Sequence, residues 1–151
     1  MTLSGTFVFA GPRQTVWDLL QDPAVLAKAL PGAKTLTQTG DGEYHGTMKV
    51  SIGPLTAAEF AVVVKLKDRR PPSSFSMDID GKGAVGFTRG TATVQLADES
   101  DGGTLMTYTS DVHIGGRIAA VGQRLMESVS RMMMRQALDA LNKELQARLQ
   151  A

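Results

Sequence analysis

Apolar and polar residues alternate along most of this chain up to Ile114, after which the apolar ones recur at spacings of three and four. From Gly115 to Ala151 there is no proline, and Ile118, Val121, Leu125, Val129, Met132, Met133, Ala137, Leu141 and Leu145 follow the helical period. The pattern predicts one C-terminal helix roughly 50 Å long, enough to lie across a whole sheet.

Upstream, alternation and turn chemistry mark out shorter elements. Leu3, Gly5, Phe7 and Phe9 interleave with Ser4, Thr6 and Val8 as a first strand. Pro12 suits the first turn of a helix, where its missing N–H would be unpaired anyway. Val16, Trp17, Leu19 and Leu20 give that helix an apolar side. Asp22-Pro23 reads as an N-cap with proline at the first helical position, opening a second short helix that stops before Pro31-Gly32. Six further strands are predicted at approximately 33–40, 43–53, 55–68, 73–82, 84–97 and 103–114. The breaks are Gly40-Asp41-Gly42, Gly53-Pro54, Pro71-Pro72, Gly81-Lys82-Gly83 and Asp101-Gly102-Gly103. Connections this short favour antiparallel neighbours, because a parallel return needs a crossover of about a dozen residues or more. The expected class is α+β: a seven-stranded curved antiparallel sheet wrapped around the C-terminal helix, with two short helices after the first strand. Neither a repeat nor a linker interrupts it, so residues 1–151 are expected to form a single domain.

Alternation also assigns faces. Tyr44, Gly46, Met48, Val50 and Ile52 oppose His45, Thr47, Lys49 and Ser51, and Phe60, Val62, Val64 and Leu66 oppose Glu59, Val63, Lys65 and Lys67. Met106, Tyr108, Ser110, Val112 and Ile114 share the inner face, as do Gly86, Gly90, Ala92, Val94 and Leu96. Several of these inner residues are very small. Strand glycines mark bends or close backbone approach, and here they are also expected to leave volume unfilled between sheet and helix. Helix side chains filling that space as a solid core is the alternative. The expected lining is Tyr44, Met48, Phe60, Val62, Met106 and Tyr108 from the sheet with Leu125, Val129, Met132 and Met133 from the helix. Met126, Met132, Met133 and Met134 suit either an adaptable lining or ordinary core.

Composition narrows the chemistry. There is no cysteine, hence no disulfide and no thiolate metal site. Lys plus Arg is 16 against 15 acids, a balance that gives no reason to expect a nucleic-acid partner. Met1 to Gly11 lacks the basic start and apolar core of a signal peptide. No stretch is long and apolar enough to span a bilayer, so a soluble cytoplasmic protein is expected.

The apparent motifs reduce to structure. Gly81-Lys82-Gly83-Ala84-Val85-Gly86 has the GxGxxG spacing, but a dinucleotide site needs a helix to open within it, and Phe87–Leu96 continues as a strand. A glycine hairpin is expected instead. His45 and His113 fall on polar strand faces with no second ligand at short spacing, so no metal is expected. Asp78 and Asp80 read as a solvated face, and Ser73 and Ser74 have no neighbouring base. On the helix, Glu127–Arg131, Asp139–Lys143 and Glu144–Arg148 are spaced as i, i+4 ion pairs, and Arg124, Arg131 and Arg135 share that solvated side.

Four stretches taken together resemble the G-subunit family of carbon monoxide dehydrogenase. They are Asp22-Pro23-Ala24-Val25-Leu26 with Leu30-Pro31-Gly32-Ala33; Val50-Ser51-Ile52-Gly53-Pro54; Gly81 to Phe87; and Gly115-Gly116-Arg117-Ile118 with Gly122-Gln123-Arg124-Leu125. The likeness runs from the first strand to about Met134. That family belongs to the SRPBCC superfamily, whose helix-grip fold, shared with START domains and birch-pollen-allergen-like proteins, holds hydrophobic ligands between sheet and helix. The resemblance implies the architecture already drawn from periodicity. It also implies an accessory role beside molybdenum-containing hydroxylases of the CO dehydrogenase type, helping them to reach the cytoplasmic membrane. Many relatives carry a further C-terminal tail that could serve membrane attachment, whereas the sequence here stops at Ala151, which puts direct anchoring of that kind in doubt.

The function expected is therefore that of a non-enzymatic accessory protein without a cofactor of its own. It would bind a hydrophobic small molecule, such as a quinone or lipid, and link a molybdenum-containing CO dehydrogenase-type enzyme to the inner membrane by peripheral contact at its cytoplasmic face. One alternative is an SRPBCC enzyme of the polyketide cyclase or aromatase type, which would need convergent polar groups in the cavity. The inner face offers Tyr44, Tyr108, Ser110 and Thr88, and no His, Asp or Glu. Another is a docking protein with no ligand. A ligand's way in is expected between the helix and the turns at Gly53-Pro54 and Gly81-Lys82-Gly83, near Lys82, Arg89 and Arg117.

Overall fold

A computed structural model describes residues 1–29, 32–52 and 54–150. Leu30, Pro31, Gly53 and Ala151, which fall in the predicted breaks and at the predicted helix end, lie outside the described residues. Strand β1 (Thr2–Phe9) leads into helices α1 (Arg13–Gln21) and α2 (Pro23–Ala29). Strands β2 (Ala33–Gly40), β3 (Glu43–Ile52), β4 (Leu55–Arg70), β5 (Ser74–Gly83), β6 (Gly86–Asp98) and β7 (Thr104–Gly115) follow. A 3-10 turn (Arg117–Val121) and helix α3 (Gln123–Gln150) complete the chain. Every neighbouring pair is antiparallel, and the sheet order is β1-β7-β6-β5-β4-β3-β2. The long pleated sheet curves around α3, as the alternation predicts.

Two boundaries move from their predicted places. Strand β5 continues through Gly83, so Gly81-Lys82-Gly83 is ladder rather than turn, and the hairpin bends at Ala84-Val85. The helical period after Gly115 does not become one helix. Gly122 has φ 101°, outside the right-handed helical region, so α3 can begin only after it. The apolar phase read from Ile118 and Val121 therefore does not carry through into α3.

The interior has two ends. At one, α1 and α2 close the space beside α3. Trp17 meets Phe75 edge-on at 5.5 Å, and Val16, Leu19, Tyr44, Leu96, Met106, Leu138, Leu141 and Leu145 pack with them into a solid core. Tyr44 donates to the Gln21 carbonyl at 3.1 Å, which satisfies its buried hydroxyl and joins β3 to the end of α1. At the other end Ile52, Ala58, Phe60, Val62, Ile118 and Met126 form a smaller cluster, to which α1 and α2 contribute none of their described residues. Inner-face glycines give less free volume than the pattern suggests. A side chain on Gly46 would overlap the Thr35 carbonyl oxygen, so this glycine admits the close approach of β2.

Candidate functional site

The smaller cluster surrounds an apolar cavity of about 200 Å³ between sheet and α3. Alternate residues of β3 and β4 supply Met48, Val50, Phe60 and Val62, each pointing inward because the strand period is two. From β7 come Val112 and Ile114. The helix contributes Met126, Val129, Ser130 and Met133, residues three and four apart on one face, and Ile118 of the 3-10 turn closes the end. Thr88 and Ser130 bring the polar side chains of the lining, which holds no titratable group among the described residues. Such a surface desolvates an apolar molecule and offers two hydroxyls to orient it.

Of the residues expected here, the structure brings together Met48, Phe60, Val62, Val129 and Met133. It does not place the others on the lining. Tyr44 and Met106 are on the inner face but at the filled end, buried against the α1 and α3 side chains. Tyr108 lies beyond Ser110 on β7, facing β1 and the flank of α3. Leu125 and Met132 are 37% and 53% exposed, because α3 turns Met126 and Met133 inward in their stead. Ile79, Ile118 and Ser130 were not among the expected lining, and alternation about Val64 across the β4–β5 ladder was the available signal for Ile79.

A larger depression, about 610 Å³, lies on the outer face of the sheet between Glu43, Lys65, Asp78, Asp80, Lys82 and Arg89. It is an open trough of paired charges. Lys67 meets Asp78 at 3.0 Å, and His45 meets Glu43 at 3.0 Å, a bond that holds the Glu43 carboxyl below its usual range. His113 faces Asp111 at 3.8 Å on the same exposed side. Among the described residues no three His, Asp or Glu side chains converge in a metal-binding group. None of their helices is long and apolar enough to cross a membrane.

The architecture recurs in solved structures. A conserved protein from Geobacillus kaustophilus is 26% identical, with 97% of this chain and 96% of that one covered and a TM-score of 0.92. A protein from Mycobacterium smegmatis is 23% identical over 97% and 92% of the two chains, with a TM-score of 0.72. A START superfamily protein from the same organism is 12% identical over 97% of each chain, again at 0.72, a likeness that shows the fold. Among curated proteins none matches the sequence significantly. The family of the carbon monoxide dehydrogenase G-subunit (CoxG) matches residues 5–146, nearly the whole of the sheet and long helix, and the chain belongs to that family.

Proposed function

We propose that this protein is a non-enzymatic carrier that holds an apolar small molecule in the cavity between the sheet and α3. It serves a molybdenum-containing enzyme of the CO dehydrogenase type at the cytoplasmic face of the membrane. The observation that carries the reading is the cavity's lining, which is apolar except for Thr88 and Ser130 and lacks an acid–base pair. A cyclase or aromatase would need titratable or strongly polar groups at the reacting centre. Membership of the CoxG family supports the accessory role.

The volume constrains the cargo. About 200 Å³ is below the roughly 300–1,000 Å³ of typical small-molecule pockets. It suits a ring and the start of its tail, as in a quinone, better than a whole lipid. The remainder of a tail would pass the Ile118 end of the cavity; near that end, on the sheet face opposite Thr88, Phe87 is exposed with the Arg89 guanidinium 5.8 Å from its ring centre. Arg117 is exposed beside that end. These cations and the apolar ring favour brief contact with an anionic membrane surface or an acidic enzyme, an attraction that salt screens.

Native mass spectrometry of protein purified under non-denaturing conditions tests the reading. A retained apolar molecule, displaced by added quinone and lost in Val129→Trp, is expected. Protein that emerges empty, and that binds neither quinone nor a fluorescent apolar probe, would exclude a carrier and leave a docking protein.

A further inference from the structure

A second concavity, also about 200 Å³, lies where α3 passes the edge strand β1, and it shares no lining residue with the apolar cavity. Leu3 and Phe7 of β1 with Met134 and Leu138 of α3 form its apolar wall. Its polar side is cationic: Arg131 and Arg135 both line it, and no carboxylate does. They are one helical turn apart, so their side chains start about 5–6 Å from each other and both guanidinium groups can reach one anionic group.

Neither arginine is neutralised within the described part of the chain. The arginine ion pairs there are Arg13–Asp98, Arg69–Asp41, Arg89–Asp80 and Arg148–Asp22. The expected Glu127–Arg131 pair does not form; Glu127 instead accepts from Gln123 Nε2 at 3.3 Å. A third donor comes from Tyr108, which lines the same groove. Its ring lies directly over Gly5: a Cβ at that position would be 2.7 Å from the Tyr108 hydroxyl oxygen and 2.9 Å from Cζ. Glycine at position 5 thus permits the ring to cross β1 and carry its hydroxyl to the groove. Tyr44, by contrast, uses its hydroxyl in a bond to the backbone.

We propose that this groove binds a small organic anion, a carboxylate or phosphate carried on a compact apolar body. Arg131 and Arg135 clamp the charged group, Tyr108 donates to it, and the body packs against Leu3, Phe7, Met134 and Leu138. Guanidinium forks match the geometry of both anions, and such charge-assisted bonds are about twice as strong as neutral ones. The anionic group can belong to a free molecule or to a lipid headgroup, and both carry the same chemistry.

Two-dimensional NMR titration of the whole chain with octanoate, and with octanol as its uncharged counterpart, is the test. Octanoate should shift amide resonances in Ser4–Phe7 and around Arg131–Arg135, saturably, and high salt should weaken it. Arg131→Gln/Arg135→Gln should weaken it by about tenfold or more, and Tyr108→Phe by several-fold. These exposed or half-buried positions leave folding intact, and Val129→Trp in the separate cavity should leave octanoate binding unchanged. Octanol should bind the groove at least about tenfold more weakly than octanoate. Co-sedimentation with phosphatidylcholine vesicles, with and without phosphatidylglycerol, identifies the source. Binding to the anionic vesicles that the double arginine variant loses assigns a headgroup; octanoate binding without vesicle binding assigns a free anion. Octanoate binding equal in wild type and double variant, shifts confined to the apolar cavity, or binding of neither probe would each overturn the proposal.

Discussion

Asp22 serves two helices at once. Its Oδ1 accepts the Ala24 N–H at 3.0 Å, capping α2, while its Oδ2 accepts from Arg148 Nη2 at 2.6 Å in the last turn of α3. The carboxylate therefore fastens the end of the long helix to the pair of short helices that fills one end of the interior. The neighbouring i, i+4 candidate, Glu144–Arg148, gives way to this longer-range partner.

Removing the two roles separately should rank them. Arg148→Ala loses an ion pair whose side chains are 38% and 34% exposed, and should cost under about 1 kcal/mol. Asp22→Ala loses the cap as well and should cost about 1–2 kcal/mol in urea unfolding. Asp22→Asn, which keeps a capping oxygen, should resemble Arg148→Ala. Equal costs for Asp22→Ala and Arg148→Ala would show that the cap contributes nothing.

At the cavity, Val129→Trp separates open space from core. Filling a void should leave the melting temperature similar or higher while abolishing binding of an apolar fluorescent probe. Overpacking a filled core would cost about 1–3 kcal/mol. A marked fall in melting temperature would remove the cavity from the functional argument.

Tyr44 supplies a pH dependence. Burial pushes its hydroxyl above the ordinary 10.0, so the folded state holds that proton more firmly than the unfolded chain. The resulting stability is complete below pH 10 and declines as pH rises from there through the higher folded value. Tyr44→Phe should cost about 1 kcal/mol near neutrality through the lost bond to Gln21. Its stability should also fall less steeply above about pH 10 than that of the wild type. Parallel alkaline limbs for the two proteins would assign the pH dependence to other groups.

The sign of one substitution distinguishes the broken helix from a continuous one. Inside a continuous helix, Gly122→Ala would stabilise by up to about 1 kcal/mol. At φ 101° it should instead destabilise by about 1–2 kcal/mol, although an added Cβ meets nothing within 4 Å. Calorimetry of this single variant reads the outcome directly.

These same residues show where sequence patterns carry and where they stop. The strands were legible because alternation has a period of two and most breaks carry glycine, proline or aspartate, so Met48, Phe60 and Val62 could be oriented residue by residue. Alternation says which way a side chain points, not what meets it. Tyr44 and Met106 point inward as expected, yet the space around them is filled by α1 and α2 together with α3, and the two short helices reach that end of the sheet and not the other.

The helical period is less exact, and adjacent apolar residues make it ambiguous. Leu125-Met126 and Met132-Met133-Met134 offer either residue of each step to the interior at nearly the same hydrophobicity, and Gly122 breaks the phase inherited from Ile118. The sequence alone determined a seven-stranded antiparallel sheet, two short helices and a long terminal helix, because local periodicity and turn chemistry act within a few residues. Only the tertiary structure decided that Met126, Val129 and Met133 face a cavity, that Leu125 and Met132 face outward, and that Arg131, Arg135 and Tyr108 meet beside β1. Those choices depend on the rotation of α3 against a sheet whose strands are far away along the chain, and packing, not propensity, fixes that angle.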